Sequence, residues 1–85
     1  MKKFHLEIAA PDGKRFSGEA EQLSVRSLAG EVAILAGHIP YVTALAPGEC
    51  RVYLDGECRR ADVTGGFLTV TPDAVRLLST EFRWK

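Results

Sequence analysis

Short, evenly spaced turn signals constrain the fold of this chain more than any other feature of its sequence. Glycine, proline and aspartate mark them at Pro11-Asp12-Gly13, Ala29-Gly30, residues 37–40, Pro47-Gly48, Asp55-Gly56, Gly65-Gly66 and Pro72-Asp73. The segments between these turns are about five to ten residues long, a spacing typical of strands in a β-sandwich or a β-barrel. The spacing therefore predicts an all-β protein.

Alternation of apolar and polar residues within the segments supports the same prediction. Phe4, Leu6 and Ile8 fall on one side of an extended chain, and the residues between them fall on the other side. Residues 50–54 alternate in the same way, and no window has the apolar spacing and caps of an amphipathic helix. We therefore predict one domain over residues 1–85, a single β-sandwich of about ten short strands.

The charge balance excludes several classes of function. Lysine and arginine total 11, and aspartate and glutamate total 11, so the formal net charge is zero. Nucleic-acid binding depends on excess cations that neutralise phosphates, and a membrane-surface anchor also needs them. No apolar run approaches the roughly 20 residues that cross a bilayer, and charges interrupt the N-terminus too early for a secretory signal. The composition indicates a cytosolic domain with no nucleic-acid partner and no direct insertion into the bilayer.

The two cysteines are predicted to be free thiols. A hairpin turn at Asp55-Gly56 would place Cys50 opposite Ala61, about 10 Å along the strand from Cys58. A disulfide requires Cα atoms closer than about 7 Å. With no Cys-x-x-Cys motif and only two histidines, the chain also lacks a ligand set for structural zinc.

Residue patterns for catalysis or cofactor binding are absent from the sequence. It has no phosphate-binding loop, nucleophile elbow, zinc-protease motif or dinucleotide fingerprint. Gly65-Gly66 favours a bulge or tight turn, and Arg59-Arg60, matched by Glu57 and Asp62, favours a solvated strand edge. We therefore predict no enzyme activity, no cofactor and no metal.

The most apolar section of the chain, residues 29–45, admits two interpretations. Two buried strands joined by a corner would account for most of it. However, Ile39, Tyr41 and Val42 lie beside a turn, where small domains usually carry polar residues. An exposed apolar corner on a neutral surface is typical of a protein–protein contact. The residues alone leave both interpretations open.

This section also carries a family resemblance. Gly30-Glu31-Val32-Ala33-Ile34-Leu35-Ala36-Gly37-His38-Ile39-Pro40 resembles the signature of the epsilon subunit of F-type ATP synthases, the counterpart of the mitochondrial delta subunit. Further segments resemble the family in the same order: Phe4-His5-Leu6-Glu7-Ile8, Phe16-Ser17-Gly18-Glu19-Ala20-Glu21, Val42-Thr43-Ala44-Leu45 and Gly65-Gly66-Phe67-Leu68-Thr69-Val70. The resemblance covers about residues 4–78, and the order and spacing of the segments make it specific.

The resemblance implies a ten-stranded β-sandwich at the foot of a rotary central stalk. Such a domain binds the gamma subunit and rests on the polar loops of the membrane-embedded c-ring. It couples proton- or sodium-driven rotation to ATP synthesis in the catalytic alpha/beta head, which it serves indirectly, and it has no active site of its own. The implied location is peripheral, at the cytoplasmic face of the bacterial plasma membrane. The alternative is an independent β-sandwich module that binds another protein.

Two sets of contact residues follow from the resemblance. The expected gamma-subunit interface is Ala10, His38, Ile39, Pro40, Tyr41, Val42 and Thr43. The expected c-ring contact is Arg26, Ser27, Leu28, Ala29, Gly30 and Glu31, with Glu31 as the acidic contact residue. The first set coincides with the apolar corner that the residues themselves suggest.

The chain departs from the family in two places. The family usually has proline at the position of Ala36. Most members continue into a two-helix C-terminal hairpin that inhibits ATP hydrolysis, whereas this sequence stops at Lys85. The resemblance therefore implies a short form that lacks the inhibitory helices. We expect the aromatic tail residues Phe82 and Trp84 to cover part of the sandwich surface.

Overall fold

Ten β-strands make up the fold of the computed structural model, which describes residues 2–37 and 39–85. The strands are β1 (Phe4–Ala10), β2 (Gly13–Ala20), β3 (Gln22–Ser27), β4 (Gly30–Leu35), β5 (Tyr41–Leu45), β6 (Gly48–Leu54), β7 (Glu57–Val63), β8 (Gly66–Val70), β9 (Val75–Ser79) and β10 (Phe82–Trp84). Over these two ranges there is no helix that could cross a membrane. The predictions of an all-β fold and of about ten strands are confirmed.

The strands form two five-stranded layers. The first sheet has the order β4-β3-β6-β7-β10, and the second has the order β5-β8-β9-β1-β2. A single bridge between Ser27 and Leu45 joins them at one corner. Neighbouring strands are antiparallel except β1 and β9, which run parallel.

The core lies between the inner faces of the two sheets. Its largest completely buried side chains are Leu6, Ile8, Leu23, Leu68 and Leu77. Because side chains alternate along a strand, each strand contributes every second residue to this layer. The shared face predicted for the first segment is confirmed, since its three apolar residues are all buried.

The C-terminal strand closes one side of the sandwich. β10 pairs with β7, Phe82 is buried, and the Trp84 ring packs edge-to-face on Phe82 at 4.9 Å and on Phe16 at 6.3 Å. The Trp84 indole Nε1–H donates a hydrogen bond to the carbonyl oxygen of Arg15, 3.2 Å away. The expected covering role of the tail is confirmed. Of the two arginines predicted to form a solvated edge, Arg60 is exposed, whereas Arg59 is half-buried and its guanidinium stacks 4.3 Å from the Trp84 ring centroid.

The two thiols are free, as predicted, but they differ in environment. Cys50 is buried in the core and Cys58 is exposed on the outside of β7. Burial raises the pKa of the Cys50 thiol to about 12, and the nearby Glu49 carboxylate adds to the rise. Only a thiolate reacts readily with thiol reagents, so Cys50 is expected to be inert in the folded chain.

We predict that a thiol-specific reagent at mildly alkaline pH titrates one cysteine in the folded chain and two after denaturation. The Cys58→Ser variant should show no rapidly reacting thiol until it unfolds. Equal reaction rates for both thiols of the folded chain would contradict the burial of Cys50. Because its folded pKa exceeds the ordinary 9.0, the unfolding free energy should also fall as pH rises above about 9.

Candidate protein interfaces

The outer face of the second sheet carries a row of apolar side chains. The strand register places Ala44 beside Phe67, Phe67 beside Leu78, and Leu78 beside Ala9, so the row crosses four neighbouring strands. Phe67 is 57% exposed and Leu78 is 55% exposed. Small domains rarely leave large apolar groups adjacent and open to solvent unless a partner covers them.

Two further exposed apolar residues extend this row. Val42 lies on the same face of β5 as Ala44 and is 67% exposed. Ile39, two residues before β5, is 78% exposed. We call Ala9, Val42, Ala44, Phe67 and Leu78 the apolar face, and Ile39 adjoins it along the chain.

The described members of the expected gamma-subunit set divide between exposed and half-buried positions. The exposed ones are Ile39, Pro40 and Val42. Thr43 is half-buried, and His38 lies outside the described residues. Ala10 is half-buried and lines a cleft of about 550 Å³ with Arg15 and Phe82. Of the exposed members, Val42 therefore belongs to the apolar face, and Ile39 and Pro40 shortly precede it in the chain.

The placement of Tyr41 on an exposed corner is wrong. Tyr41 begins β5 and is half-buried against the core, while the next residue, Val42, faces outward. The two must point to opposite faces because the side-chain period of a strand is two. Desolvation raises the pKa of Tyr41, and its hydroxyl is buried without a hydrogen-bond partner among the described residues.

Charged side chains border the apolar face on β1, β2 and β9. The Glu7 carboxylate lies 3.3 Å from Nε of Arg76 and 3.2 Å from Nε2 of His5. Nδ1 of His5 is 3.5 Å from Glu19. The hydrogen bond from His5, followed by that from Arg76, lowers the pKa of Glu7. A polar rim beside an apolar centre is the usual anatomy of a protein interface.

The lowered pKa of Glu7 gives a prediction for acid stability. Because the folded pKa lies below the ordinary 4.5, the Glu7 carboxylate stabilises the fold above that pH, and its contribution is lost as pH falls through the lowered value. In urea unfolding between neutral pH and about pH 3, Glu7→Gln should therefore lose less free energy of unfolding than the wild type. Glu57→Gln, which alters an exposed carboxylate with no ion pair to any described residue, should behave like the wild type. An identical pH dependence for Glu7→Gln would contradict the assignment.

The expected c-ring residues form the tight hairpin between β3 and β4. The Ser27 hydroxyl donates to the carbonyl oxygen of Gly30 at 2.7 Å and accepts from the Ala29 amide at 3.2 Å. Ser27 is buried, so it shapes the turn and cannot offer its side chain to a partner. Leu28, at the tip, is 73% exposed. The hairpin thus presents an apolar tip with exposed backbone around it.

The charged members of this set lie on the outside of the first sheet. Arg26 and Glu31 are both exposed and face each other across β3 and β4. Nη2 of Arg51 on β6 lies 4.0 Å from the Glu31 carboxylate, and Nε of Arg51 lies 3.1 Å from Glu49. One cation, Arg51, therefore lies near the acidic residue that the resemblance singled out, whereas the side chain of Arg26 lies over Gly48 on β6.

Sequence reasoning missed Phe67 and Leu78, which are central to the apolar face. The signal was present in the alternation itself. Leu68 and Leu77 are buried, so their neighbours Phe67 and Leu78 had to face outward. The missing information was that β8 and β9 are adjacent and in register, which brings the two outward residues together.

Comparison with known proteins gives a match over nearly the whole chain. The family model described as ATP synthase, Delta/Epsilon chain, beta-sandwich domain matches residues 3–85. The ATP synthase epsilon chain of Bacillus velezensis is 43% identical over 79 residues, which are 93% of this chain and 60% of that protein. The ATP synthase epsilon chain of Caldanaerobacter subterraneus subsp. tengcongensis is 37% identical over 84 residues, which are 98% of this chain and 61% of that protein. The chain thus spans about 60% of the length of these curated relatives.

Solved structures share the fold. A chain in the Euglena gracilis mitochondrial ATP synthase, solved as OSCP, F1 and c-ring, superposes with a TM-score of 0.90 at 26% identity, covering 96% of this chain and 53% of that one. A chain in the central stalk and c-ring structure of the Tetrahymena thermophila mitochondrial ATP synthase gives a TM-score of 0.82 at 12% identity, covering 95% and 66%. The second likeness concerns the fold alone.

Proposed function

Because the chain belongs to the ATP synthase delta/epsilon family through its β-sandwich domain, we propose that it is a central-stalk subunit of an F-type ATP synthase. In this role it binds the gamma subunit and the c-ring, and it couples proton- or sodium-driven rotation to ATP synthesis in the alpha/beta head. It acts without an active site of its own. It works peripherally at the cytoplasmic face of the bacterial plasma membrane.

The apolar face is the observation that carries this proposal. It places Phe67, Leu78 and Val42 on one side of the sandwich, each more than half exposed, beside the charged border formed by Glu7 and Arg76. Burying such a face against a partner releases water from apolar surface, which favours association by about 25 cal/mol per Å² before the costs of binding. We assign this face, with the adjoining Ile39, to the gamma subunit.

The β3–β4 hairpin is assigned to the c-ring. Its tip presents Leu28, and Glu31 lies at the base with Nη2 of Arg51 4.0 Å from its carboxylate. Exposed backbone and charged side chains suit contact with the polar loops of the ring. Glu31 remains hydrated and partly paired, so its contribution depends on geometry and salt concentration more than on burial.

Direct backbone connections between the two surfaces support a coupling role. The Leu28 amide donates to the carbonyl oxygen of Ala44 at 3.1 Å, and the Ala46 amide donates to that of Arg26 at 3.0 Å. Ala44 belongs to the apolar face, whereas Leu28 and Arg26 belong to the hairpin. A force applied to the hairpin would therefore reach the gamma-facing sheet through hydrogen bonds, without a flexible linker.

Calorimetric titration of this chain into the gamma subunit of the same organism tests the proposal. We expect saturable binding at a one-to-one ratio, with the negative heat-capacity change that accompanies burial of apolar surface. Absence of binding, with both proteins shown to be folded, would contradict the proposed function. It would favour the alternative of an independent β-sandwich module that binds another protein.

A further inference from the structure

The side chain of Arg26 lies across the start of the neighbouring strand β6. Arg26 is exposed, one residue before the end of β3. Its Cβ, Cδ and Nε atoms lie 3.3, 3.4 and 3.6 Å from the position that a Cβ would occupy on Gly48. The stem of the arginine therefore fills the space beside this glycine, and any side chain added there would press against it. Packing of the stem leaves the charged head of an arginine accessible.

Backbone hydrogen bonds fix the base of the hairpin against the β5–β6 turn. The Arg26 carbonyl oxygen accepts from the Ala46 amide at 3.0 Å, two residues before Gly48. The Leu28 amide donates to the carbonyl oxygen of Ala44 at 3.1 Å. Because both backbone segments are held by these bonds, the contact between the arginine stem and the glycine has a defined geometry.

The carboxylates closest to this region are already engaged by other cations. Glu31 lies 4.0 Å from Nη2 of Arg51. Glu49 lies 3.1 Å from Nε of Arg51 and 2.9 Å from Nζ of Lys85, and the hydrogen bond from Lys85 lowers the pKa of Glu49. The side chain of Arg26 has no ion pair or hydrogen bond with any other residue in the ranges 2–37 and 39–85. Its positive charge is therefore uncompensated within the described chain.

An arginine held in this way suits a carboxylate on a partner. The planar guanidinium presents its N–H donors as a fork that matches the two oxygens of a carboxylate. Binding costs less when the side chain is already restricted, and contact with Gly48 restricts the stem of Arg26. Leu28, two residues further on and 73% exposed, adds an apolar contact beside the charge. The surface therefore fits a polar turn that carries one carboxylate.

We propose that Arg26, held in place by Gly48, binds a carboxylate on the polar loop of a c subunit. This assignment rests on the proposed function, in which the β3–β4 hairpin contacts the c-ring. It makes Arg26 the main charged contact of the hairpin, whereas the resemblance singled out Glu31. Glu31 already lies near Arg51 of its own chain. Gly48 is a positioning residue, because it acts through the arginine and needs no contact with the ring.

Binding to the c-ring tests the role of Arg26. The chain, assembled with the gamma subunit of the same organism, is titrated onto c-rings in lipid nanodiscs and followed by biolayer interferometry. We expect Arg26→Gln to weaken binding by roughly 10- to 100-fold, the usual factor for loss of a hydrogen bond to a charged group. Arg26→Lys should recover only part of the loss, because an ammonium lacks the planar fork. Salt should weaken wild-type binding more steeply than binding of Arg26→Gln.

Arg60→Gln is the matched control. Arg60 is exposed in the middle of β7, on the same sheet, and it makes no ion pair with another described residue. The variant loses the same charge away from the hairpin, so its affinity for the ring should stay within about two-fold of wild type. Arg26→Gln should also bind the gamma subunit as tightly as wild type, because Arg26 lies outside the apolar face. Circular dichroism would verify that both variants are folded.

Changes on the ring identify the carboxylate. Each acidic residue of the c-subunit loop is replaced in turn by its amide. One replacement should weaken binding of the wild-type chain as much as Arg26→Gln does, and it should cause no further loss when combined with Arg26→Gln. If every loop replacement adds its full loss to that of Arg26→Gln, the arginine binds no loop carboxylate and the proposal is wrong.

Gly48→Ala tests the positioning role. The added methyl group would lie 3.3 Å from Cβ of Arg26, which is tighter than ordinary contact, so the arginine must shift. We expect a several-fold loss of ring affinity in the wild-type background and little further loss in Arg26→Gln, because the two residues act as a unit. Gly18→Ala is the control, since its methyl group would meet only the Phe16 ring at 3.6 Å, an ordinary contact. Its affinity for the ring should equal that of the wild type.

Several outcomes would overturn the proposal. One is wild-type affinity of Arg26→Gln for the ring. Another is an equal loss in Arg26→Gln and Arg60→Gln, because net charge alone would then explain the effect. An equal loss from Gly48→Ala in both backgrounds would show that the glycine does not act through Arg26. If the wild-type assembly does not bind the ring at all, the proposed c-ring contact fails as well, so the two failures are distinguishable.

Discussion

Phe67→Glu is expected to weaken binding to the gamma subunit by at least about 100-fold, while the domain stays folded. Phe67 occupies the middle of the apolar face between Ala44 and Leu78. A carboxylate there would be buried by the partner without a counter-charge, and central interface aromatics typically contribute about 2–4 kcal/mol when truncated. Because the side chain is exposed in the free domain, the substitution should change stability by only about 0.5 kcal/mol.

The matched control is Cys58→Glu. It adds the same single charge at an exposed position on the outer face of the first sheet, across the sandwich from the apolar face. Calorimetric titrations of the wild type and both variants into the gamma subunit should give nearly equal affinities for the wild type and Cys58→Glu. Circular dichroism and thermal unfolding would verify that all three proteins are folded.

Two results would contradict the assignment of this face. If Phe67→Glu binds as tightly as the wild type, the apolar face is not the gamma-subunit interface. If both glutamate variants lose affinity equally, the effect arises from net charge and not from the position of Phe67. In either case the family membership stands, because it rests on the sequence match and not on this surface.

Much of the fold could be predicted from the sequence because it is encoded locally. The alternation of Phe4, Leu6 and Ile8 identified a buried strand face, and Asp55-Gly56 fixed the β6–β7 register, in which Cys50 does face Ala61. Such signals depend on side-chain period and turn chemistry, which span only a few residues. The parallel pairing of β1 with β9 depends instead on contacts between distant segments, and no local pattern reports them.

The candidate site was predictable only where one segment carried it. Ile39 and Val42 stand out because they are apolar beside a turn, and both are exposed. Their neighbour Tyr41 was wrongly predicted to be exposed. That prediction followed the apolar composition of the segment and ignored the alternation of side chains along the strand. The partners of Val42 on the apolar face come from β8 and β9, more than twenty residues away, and require the sheet order. The stack of Arg59 on Trp84 was missed for the same reason.

Gly66→Ala is expected to be the most destabilising of the glycine-to-alanine substitutions in this chain. A Cβ at this position would overlap the carbonyl oxygen of Leu78 and lie 2.8 Å from its carbonyl carbon and from the Cα of Ser79. These are backbone atoms of the adjacent strand, so no side-chain rotation can relieve the overlap. The φ of Gly66 is also +134°, which side-chain-bearing residues rarely adopt.

Comparison with Gly30→Ala separates the cost of the backbone conformation from the cost of the overlap with the adjacent strand. Gly30 has a similar φ of +125°, but a Cβ there would have nothing within 4 Å. It should therefore report the cost of the backbone conformation alone, about 1–3 kcal/mol. A domain of this size is stable by only about 4–13 kcal/mol. We expect Gly66→Ala to lose at least about 4 kcal/mol, or to fail to fold, in guanidinium unfolding followed by circular dichroism.

The comparison of these variants also tests how the apolar face is built. Gly66 lets β8 and β9 approach at the point where the register places Phe67 beside Leu78. If Gly66→Ala were no more destabilising than Gly30→Ala, the strands would not be in close contact there, and the row of apolar side chains would need another explanation. If Gly66→Ala folds with reduced stability, its strands must have separated, and its affinity for the gamma subunit should fall as well. A loss of affinity without any change at Phe67 itself would show that the backbone spacing, and not only the side chains, makes the surface.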